Sequence, residues 1–206
     1  GYTWSVNSRE NQLTAWSNDP VSDPSGETFY VRDEDTGEMW GPTVHPMRDD
    51  AAPYVARHGQ GYSRFEHTSH GIALDLLQLV PLADPIKLSR LVLENRSART
   101  RRLSVTVYVE WVLGDSRGCS APHVITELDT ATGAILASNP WNGEFAERVA
   151  FVDLAGRQTS WTADRTEFIG RNGTLDHPAA LEGRRALSGR VGAGLDPCAV
   201  LRTTVE

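Results

Sequence analysis

The feature that most constrains the fold is the regular alternation of apolar and polar side chains between Arg102 and Leu113. A period of two sustained over this length is typical of a β-strand with one face in a hydrophobic core, as in antiparallel sheets. The pattern therefore predicts a half-buried strand, with Trp111 in the core. The predicted core face carries Leu103, Val105, Val107, Val109, Trp111 and Leu113, and the predicted polar face carries Ser104, Thr106, Tyr108 and Glu110.

Further strand signals recur along the chain, separated by turns. A tight turn at Asp35-Thr36-Gly37 joins two short predicted strands, the second of which ends at Trp40. Gly37 supplies the positive φ that such a turn needs. No segment shows a sustained 3.6-residue apolar stripe, so 177–186 is expected to form a turn or two of helix at most. Regularly spaced strands and turns predict an all-β sandwich or barrel, in one domain over 1–206. The other predicted strands lie in 72–82, 88–97, 148–154 and 159–165, with a hairpin in 124–139 that turns at Thr132-Gly133.

The bulk charge excludes one class of partner. A net charge of -7 and a pI near 5.4 argue against nucleic acid, because nucleic-acid-binding domains carry clustered positive charge. No apolar run approaches the roughly 20 residues that a helix needs to cross a bilayer, so membrane insertion by this chain is not expected. Cys119 and Cys198 lie far apart in the sequence, which predicts free thiols in a reducing compartment.

No metal, nucleotide or cofactor site is expected from the motifs. A calcium loop would need a bidentate glutamate at its end, and a histidine zinc site needs helical spacing or nearby cysteines. A phosphate loop needs a strand before it and a helix after it. None of these conditions is met, so the residues concerned are interpreted as turn and strand side chains. The three patterns considered are Asp33-Asp35-Gly37, His58-His67-His70 and Gly189–Gly194.

The residues also predict that the chain alone is not a catalyst. Cleavage of a glycosidic bond needs a carboxylic acid opposite an activated nucleophile, and none of the acidic residues has surroundings that indicate a raised pKa. The tryptophans divide by context. Trp111 and Trp161 are in phase with strand cores, whereas Trp4, Trp16 and Trp141 lie among polar residues, where an indole either stacks on a sugar or fills a core.

Four motifs carry a family resemblance that extends over essentially the whole chain. They resemble the N-terminal domain of glycoside hydrolase family 94, which includes cellobiose phosphorylase, cellodextrin phosphorylase and the phosphorylase-like region of cyclic β-1,2-glucan synthase. The last two motifs resemble the cyclic β-1,2-glucan synthase branch in particular. The motifs are YVRDEDTGE (30–38), VYVEWVL (107–113), FIGRNGTLDHPAAL (168–181) and LSGRVGAGLDPCAVL (187–201).

The resemblance implies a fold and a catalytic domain separate from this one. The fold would be a large antiparallel two-sheet β-sandwich, the supersandwich of galactose-mutarotase-like proteins, here without its first strands. The chain would be a piece of a longer enzyme that acts on β-glucans. Catalysis in the family belongs to an (α/α)6 barrel, in which an aspartate is the general acid and inorganic phosphate is the nucleophile. That barrel and its aspartate are absent from these residues.

The resemblance also implies a site and partners. In the family, the loop after the VYVEW-like strand reaches toward an active site, in cellobiose phosphorylase that of the partner subunit. The matching loop, Gly114–His123, has the composition of a mobile arm and lacks the Gln-Arg of cellobiose phosphorylase. The candidate sugar-binding residues are Arg117, Ser120, His123, Arg9 and Trp16.

The expected role is a non-catalytic domain that binds carbohydrate and supports the sugar site of an adjoining barrel. The expected partners are a β-glucan oligosaccharide, that barrel and a second copy in a homodimer. The expected location is the cytoplasmic face, with an inner-membrane parent protein if the parent is a synthase. Two alternatives remain open on the sequence: a free-standing carbohydrate-binding module, and an interaction scaffold with no ligand.

Overall fold

The computed structural model describes residues 1–5, 7, 10–19 and 21–205. Strands dominate, and the helices are single turns. The strands are β1 (Gln12–Thr14), β2 (Glu27–Asp33), β3 (Met39–Trp40), β4 (Tyr54–Gly59), β5 (Tyr62–Ser69), β6 (Ile72–Leu79), β7 (Leu88–Asn95), β8 (Leu103–Gly114), β9 (Ile125–Leu128), β10 (Ile135–Ser138), β11 (Val149–Val152), β12 (Ser160–Asp164) and β13 (Pro197–Val205). The helices are α1 (Arg117–Ser120), α2 (Arg165–Ile169) and α3 (Ala179–Glu182), with 3₁₀ turns at Ala121–His123 and Gly143–Phe145.

The described strands form one large sheet and two smaller ones. The large sheet has the order β12-β13-β8-β2-β3, and β1 pairs with the end of β8. The smaller sheets have the orders β4-β5-β6-β7 and β11-β10-β9. All of these pairings are antiparallel. The all-β antiparallel sandwich predicted from the sequence is confirmed.

The two smaller sheets cover different parts of one face of the large sheet. Ile72 and Leu74 of β6 pack with Leu103 at the start of β8. Ile135 and Ala137 of β10 pack on the later part of β8. The second layer of the sandwich is therefore built from two separate sheets. The β8 residues in the β10 cluster are Val107, Val109, Trp111 and Leu113.

The opposite face of the large sheet is also buried. Tyr108 is fully buried and stacks on Phe168 of α2, with the ring centroids 5.3 Å apart. Leu181 of α3 and Leu187 complete this second core. The prediction of a half-buried β8 is therefore wrong, because the segment after β12 folds back over the face that carries the polar side chains. The predicted core face, including Trp111, is confirmed.

The predicted hairpin turn is confirmed, and one of its acidic residues stabilises it. Val31 pairs with Trp40 across the hairpin, and Gly37 has φ +81°. The Asp33 carboxylate accepts hydrogen bonds from the backbone N–H groups of Asp35 (2.8 Å) and Thr36 (3.2 Å). The Asp33 side chain therefore organises the turn by accepting from the backbone of the next residues, which is the common role of aspartate in turns.

The helical content differs from the prediction at the end of β12 and in the loop after β8. Residues 177–186 contain the single turn α3, as expected. The turn α2 replaces the end of a predicted strand, because Asp164 caps it by accepting a hydrogen bond from the Thr166 N–H at 3.0 Å. Aspartate is a favoured N-cap residue. The cap ends β12 and directs the chain across the second core.

Candidate functional site

The loop that follows β8 is folded into two short helical turns. Leu113 has φ +47°, a left-handed conformation that turns the chain sharply at the end of the strand. Residues 117–120 then form α1, and 121–123 form a 3₁₀ turn. The Ser120 hydroxyl donates to the Ser116 carbonyl at 2.9 Å. Local hydrogen bonds hold this segment, whose composition is that of a mobile arm, in two short turns.

A cluster of charged side chains fixes this loop to the sheet. The Arg117 guanidinium lies 3.1 Å from Glu110 and pairs with Asp196. The Arg165 guanidinium lies 2.9 Å from Glu110 and 3.6 Å from Asp196. Two arginines and two carboxylates are therefore paired with one another. We call these four side chains the Glu110 cluster: Glu110, Arg117, Arg165 and Asp196. Because the charges balance, the cluster presents no net charge to a ligand.

Burial and hydrogen bonding strengthen this cluster. The hydroxyl of Tyr108 donates to Glu110 at 2.5 Å. Burial raises the pKa of Tyr108 far above its ordinary value, and the Glu110 charge raises it further, so this hydroxyl remains a donor. Burial lowers the pKa of Arg165, but Tyr108 and Glu110 reverse the shift and hold it above its ordinary value. Arg165 therefore stays charged and paired with Glu110.

The ion pairs of Arg117 limit the donors that it can offer to a ligand. Its guanidinium is shared between two carboxylates, so fewer of its donors are free for sugar hydroxyls or phosphate. Its direct structural effect is to attach α1 to β8 and to the segment before β13. Ser120 is likewise buried, and its hydroxyl is used within the loop.

We therefore expect Arg117→Ala to destabilise the chain. The substitution leaves Glu110 and Asp196 with one cation between them, and losing a hydrogen bond to a charged group costs about 1.5–3 kcal/mol. Urea denaturation should show a lower midpoint with an unchanged slope. Arg171→Ala is the matched control, because Arg171 is exposed and has no ion pair among the described residues. Equal midpoints for the two variants would contradict the structural role.

An exposed aromatic pair lies beside the loop. The imidazole of His123 stacks on the indole of Trp141, with ring centroids 5.1 Å apart and planes inclined by 27°. Trp141 is 76% exposed, far more than the other tryptophans. A wide flat ring in solvent, held by a second ring, is the type of surface on which the apolar face of a pyranose stacks. We call this pair the Trp141 platform.

Two asparagine side chains hold the platform against the end of β8. The carbonyl of Leu113 accepts from the amides of Asn139 and Asn142, each at 2.9 Å. Asn139 also accepts from the Trp141 backbone N–H at 3.0 Å. Asn142 donates in addition to the Asn11 side chain at 2.9 Å. The left-handed turn at Leu113 thus positions both the loop and the platform.

The other tryptophans in polar surroundings are less exposed than Trp141. Trp16 is half-buried, and its indole N–H has no hydrogen-bond partner among the described residues. No contact connects it to the loop in the part of the chain that the structure describes. Arg9 lies outside the described residues. Trp4 is covered by the Arg148 guanidinium, 4.8 Å from its ring centroid.

Sequence reasoning did not find the partners of these residues. Glu110 lies on the predicted polar face of β8, and Arg165 and Asp196 are distant in the chain. A charged residue within a long central strand was the available signal, because burying it requires a partner of opposite charge. The pairing of His123 with Trp141 had no signal in the sequence.

The histidines grouped by the sequence serve packing. The ring of His67 stacks on Tyr54 (3.8 Å between centroids), and that of His70 stacks on Trp40 (4.7 Å). Within the described ranges, no group of three or more histidine, cysteine or acidic residues is arranged to hold a metal ion. Cys119 and Cys198 are free thiols, as predicted. No helix in the described part of the chain is long and apolar enough to span a bilayer.

The antiparallel layers and the long central strand define a β-supersandwich domain. The supersandwich domain of glycosyl hydrolase 94 matches residues 1–206, so the chain belongs to that family. It is 38% identical over 204 residues to the cyclic beta-(1,2)-glucan synthase NdvB of Rhizobium meliloti (strain 1021), a match that covers 99% of this chain and 7% of that protein.

Two phosphorylases are also similar. Solabiose phosphorylase of Paenibacillus borealis is 30% identical over 179 residues, which are 85% of this chain and 23% of that enzyme. N,N'-diacetylchitobiose phosphorylase of Vibrio proteolyticus is 25% identical over 188 residues, which are 88% of this chain and 24% of that enzyme. The chain therefore corresponds to less than a quarter of the length of each of these relatives.

Proposed function

We propose that this domain is the non-catalytic sandwich of an enzyme that acts on β-glucan and that it forms one wall of the sugar site. The Trp141 platform is the observation that carries the proposal, because an indole that is 76% exposed is otherwise an unfavourable apolar surface. Its neighbour His123 belongs to the loop after β8, so loop and platform form one surface. The similarity to a glucan synthase supports glucan as the ligand class.

The chemistry of a glucose chain suits this surface. A pyranose has apolar C–H faces and polar edges, so it needs a flat ring and nearby hydrogen-bonding groups. Trp141 supplies the ring, and the imidazole of His123 both supports the ring and offers a nitrogen at its side. Stacking of this kind orients a sugar chain without changing any bond, which is a supporting role in catalysis.

In this proposal the bond chemistry occurs elsewhere in the polypeptide. An (α/α)6 barrel would supply the general acid, and inorganic phosphate would be the nucleophile if the parent is a phosphorylase. The sandwich would pack on that barrel, and a second copy would form a homodimer. The site would lie on the cytoplasmic side, beside an inner-membrane region if the parent is a synthase. The Glu110 cluster would hold the loop in place, with Arg117 as a positioning residue.

We expect Trp141→Ala to weaken binding of linear β-1,2-glucooligosaccharides by about tenfold, which corresponds to about 1.4 kcal/mol. Removing the exposed ring should leave the free energy of unfolding within about 0.5 kcal/mol of that of the unchanged chain. Isothermal titration of the chain with the oligosaccharide measures the first quantity, and urea denaturation measures the second.

Trp141→Phe is the matched control, because a smaller ring retains part of the stacking surface and should retain intermediate affinity. Equal affinity of the alanine variant and the unchanged chain would remove the platform from the sugar site. Absence of binding in all three proteins would favour a scaffold with no ligand. Tight binding by the isolated chain would favour a free-standing carbohydrate-binding module.

A further inference from the structure

The β4–β7 sheet has an outer face that carries a row of apolar side chains. Leu74 packs on the large sheet, so Leu79, five positions further along β6, points the other way. Tyr62 lies opposite Leu79, and Leu79 lies opposite Leu88, so the three side chains cross three strands on the same face. Tyr62 and Leu88 are each nearly half exposed (47% and 48%). We call these three side chains the Tyr62 row.

The ring of Tyr62 lies against the backbone of Gly59. These two residues are cross-strand partners at the end of the β4–β5 hairpin. A Cβ atom at position 59 would overlap the tyrosine ring, although the φ of Gly59 is not positive. The ring, rather than the backbone conformation, therefore requires the glycine. One side of the ring is supported by the hairpin, and the rest is open to solvent.

Charged side chains of both signs border this row. The next row on the same face contains three arginines, and the row after that contains two carboxylates. The guanidinium of Arg64 donates to both oxygens of Asp75, at 2.9 and 2.8 Å. The charges of the two rows therefore nearly balance. The side chains concerned are Arg57, Arg64 and Arg90 in the first row, and Glu66 and Asp75 in the second.

Arg90 leaves hydrogen-bond donors free beside the apolar row. It lies two positions after Leu88 in β7, so both side chains are on the same face. Among the described residues it has no ion pair with a carboxylate, whereas Arg64 pairs with Asp75. A guanidinium presents five N–H donors in one plane. Donors and carboxylate acceptors thus both lie within a short distance of an exposed aromatic ring.

We propose, on the basis of the function proposed above, that the Tyr62 row is a second surface for β-glucan, separate from the Trp141 platform. The apolar C–H faces of the sugar would stack on the tyrosine ring and the leucines. Arg90 would donate to hydroxyl groups, and Asp75 would accept from them. The row crosses two strand spacings, about 10 Å in all, which accommodates about two sugar rings.

The shape of the row favours a sugar chain over a strand or a helix. Strands β5 and β6 are paired on both sides, so this face offers no free backbone groups to an added strand. The charged row begins two residues along each strand, about 7 Å away. A packed helix is about 10 Å across, so it would cover the arginines as well as the apolar row.

The charge of the face favours a ligand without charge. An acidic segment would meet Glu66 and Asp75, and a basic segment would meet the arginines, and juxtaposed like charges oppose association. A sugar hydroxyl both donates and accepts, so it suits a surface that carries guanidinium and carboxylate groups together. The similarity to a glucan synthase supports glucan as the class of sugar.

Backbone amide chemical shifts during titration with a linear β-1,2-glucooligosaccharide test the two surfaces separately. The amides of 59–64 report the Tyr62 row, and those of 139–143 report the Trp141 platform. Tyr62→Ala is expected to raise the dissociation constant at 59–64 by about tenfold, because the stacking ring is lost. It should leave the dissociation constant at 139–143 unchanged, and Trp141→Ala should have the opposite effect.

Gly59→Ala tests the position of the ring without removing it. The added Cβ meets the far end of the Tyr62 side chain, which can rotate away, so the fold should persist. The loss of affinity at 59–64 should match that of Tyr62→Ala, and the melting temperature should not fall. Phe151→Ala is the matched control, because it removes an exposed ring from another sheet and should leave binding at 59–64 unchanged.

The outcomes distinguish this surface from the proposed function. Absence of shifts at 59–64, or equal affinity there in Tyr62→Ala and the unchanged chain, would overturn the Tyr62 row as a sugar surface. Shifts at 59–64 without shifts at 139–143 would support the row and overturn the role of the platform. Shifts at 59–64 that grow with the concentration of the chain alone would assign the row to a second copy and overturn the proposal. Shifts there with a peptide of four glutamates, but not with the oligosaccharide, would also overturn it.

Discussion

Replacing Trp111 by alanine is expected to lower the free energy of unfolding by about 3–5 kcal/mol. The indole is 3% exposed and packs in the cluster shared by β8 and β10, so its loss leaves a cavity that its neighbours cannot fill. Its N–H has no hydrogen-bond partner among the described residues, so the expected loss comes from packing rather than from a broken hydrogen bond. Urea denaturation followed by circular dichroism measures the change.

The control for this prediction is Trp141→Ala, which removes the same side chain from the surface. Its effect on the free energy of unfolding should be within about 0.5 kcal/mol of zero. Trp111→Phe should give an intermediate loss, because it removes only part of the ring system. A loss below about 1 kcal/mol for Trp111→Ala would show that the indole does not contribute to the core as its burial indicates.

The second large effect is expected at Asp33. Its carboxylate is fully buried and lies 2.6 Å from the guanidinium of Arg101, which is itself only 4% exposed. Asp33→Asn keeps the shape of the side chain and removes the charge, so a buried arginine loses its counter-ion. Removing one partner of a buried ion pair costs about 3–5 kcal/mol, because the other charge is left uncompensated. Thermal and urea denaturation measure the loss.

The stabilisation by Asp33 is also expected to depend on pH. Burial alone would raise the pKa of Asp33, but the Asp35 N–H and the Arg101 guanidinium hold it below its ordinary value. Because the folded pKa is lower than the unfolded value of about 3.9, the stabilisation is present above that pH. It is lost as the pH falls through the folded pKa. The Asp33→Asn variant should therefore lose less stability in acid than the unchanged chain.

Asp35→Asn is the matched control in the same turn. Asp35 pairs with Arg102 at the surface, where both side chains are nearly half exposed (48% and 46%). Exposed ion pairs contribute about 0–1 kcal/mol. Equal losses for the Asp33 and Asp35 variants would mean that burial of the Asp33 pair does not determine its contribution.

Local patterns in the sequence were enough to predict most strands. The alternation in β8 predicted its length and its core face, and the glycines at Gly37 and Gly133 predicted two hairpin turns. These features depend on near neighbours in the chain. Backbone conformation and side-chain direction follow from a period of two and from the freedom of glycine at positive φ.

Burial of the second face of β8 had no local signal. Ser104, Thr106 and Tyr108 are polar, and a polar face is normally interpreted as a solvent face. They are buried because residues 165–187, distant in the sequence, fold across them. The hydrogen bond from Tyr108 to Glu110 compensates for the loss of water at the Tyr108 hydroxyl and the Glu110 carboxylate.

The sequence likewise predicted one part of the candidate site and did not predict the rest. The sequence singled out the loop Gly114–His123 and Trp16, and it placed Trp141 with Trp4 and Trp16 among tryptophans in polar surroundings. Ligand binding by Arg117 stays a prediction, and the sequence did not predict its ion pairs with Glu110 and Asp196. Charged partners that are far apart in the chain can be recognised only after folding brings them together, because no periodicity connects them.

The sequence by itself therefore determined the all-β class, the positions of the hairpins, the core face of β8 and the family. Each of these depends on residue order within a short segment or on motifs read along the chain. Only the tertiary structure decided which charges pair and that His123 stacks on Trp141. Pair contacts and strand edges depend on the distances between segments, and these distances arise when the layers pack.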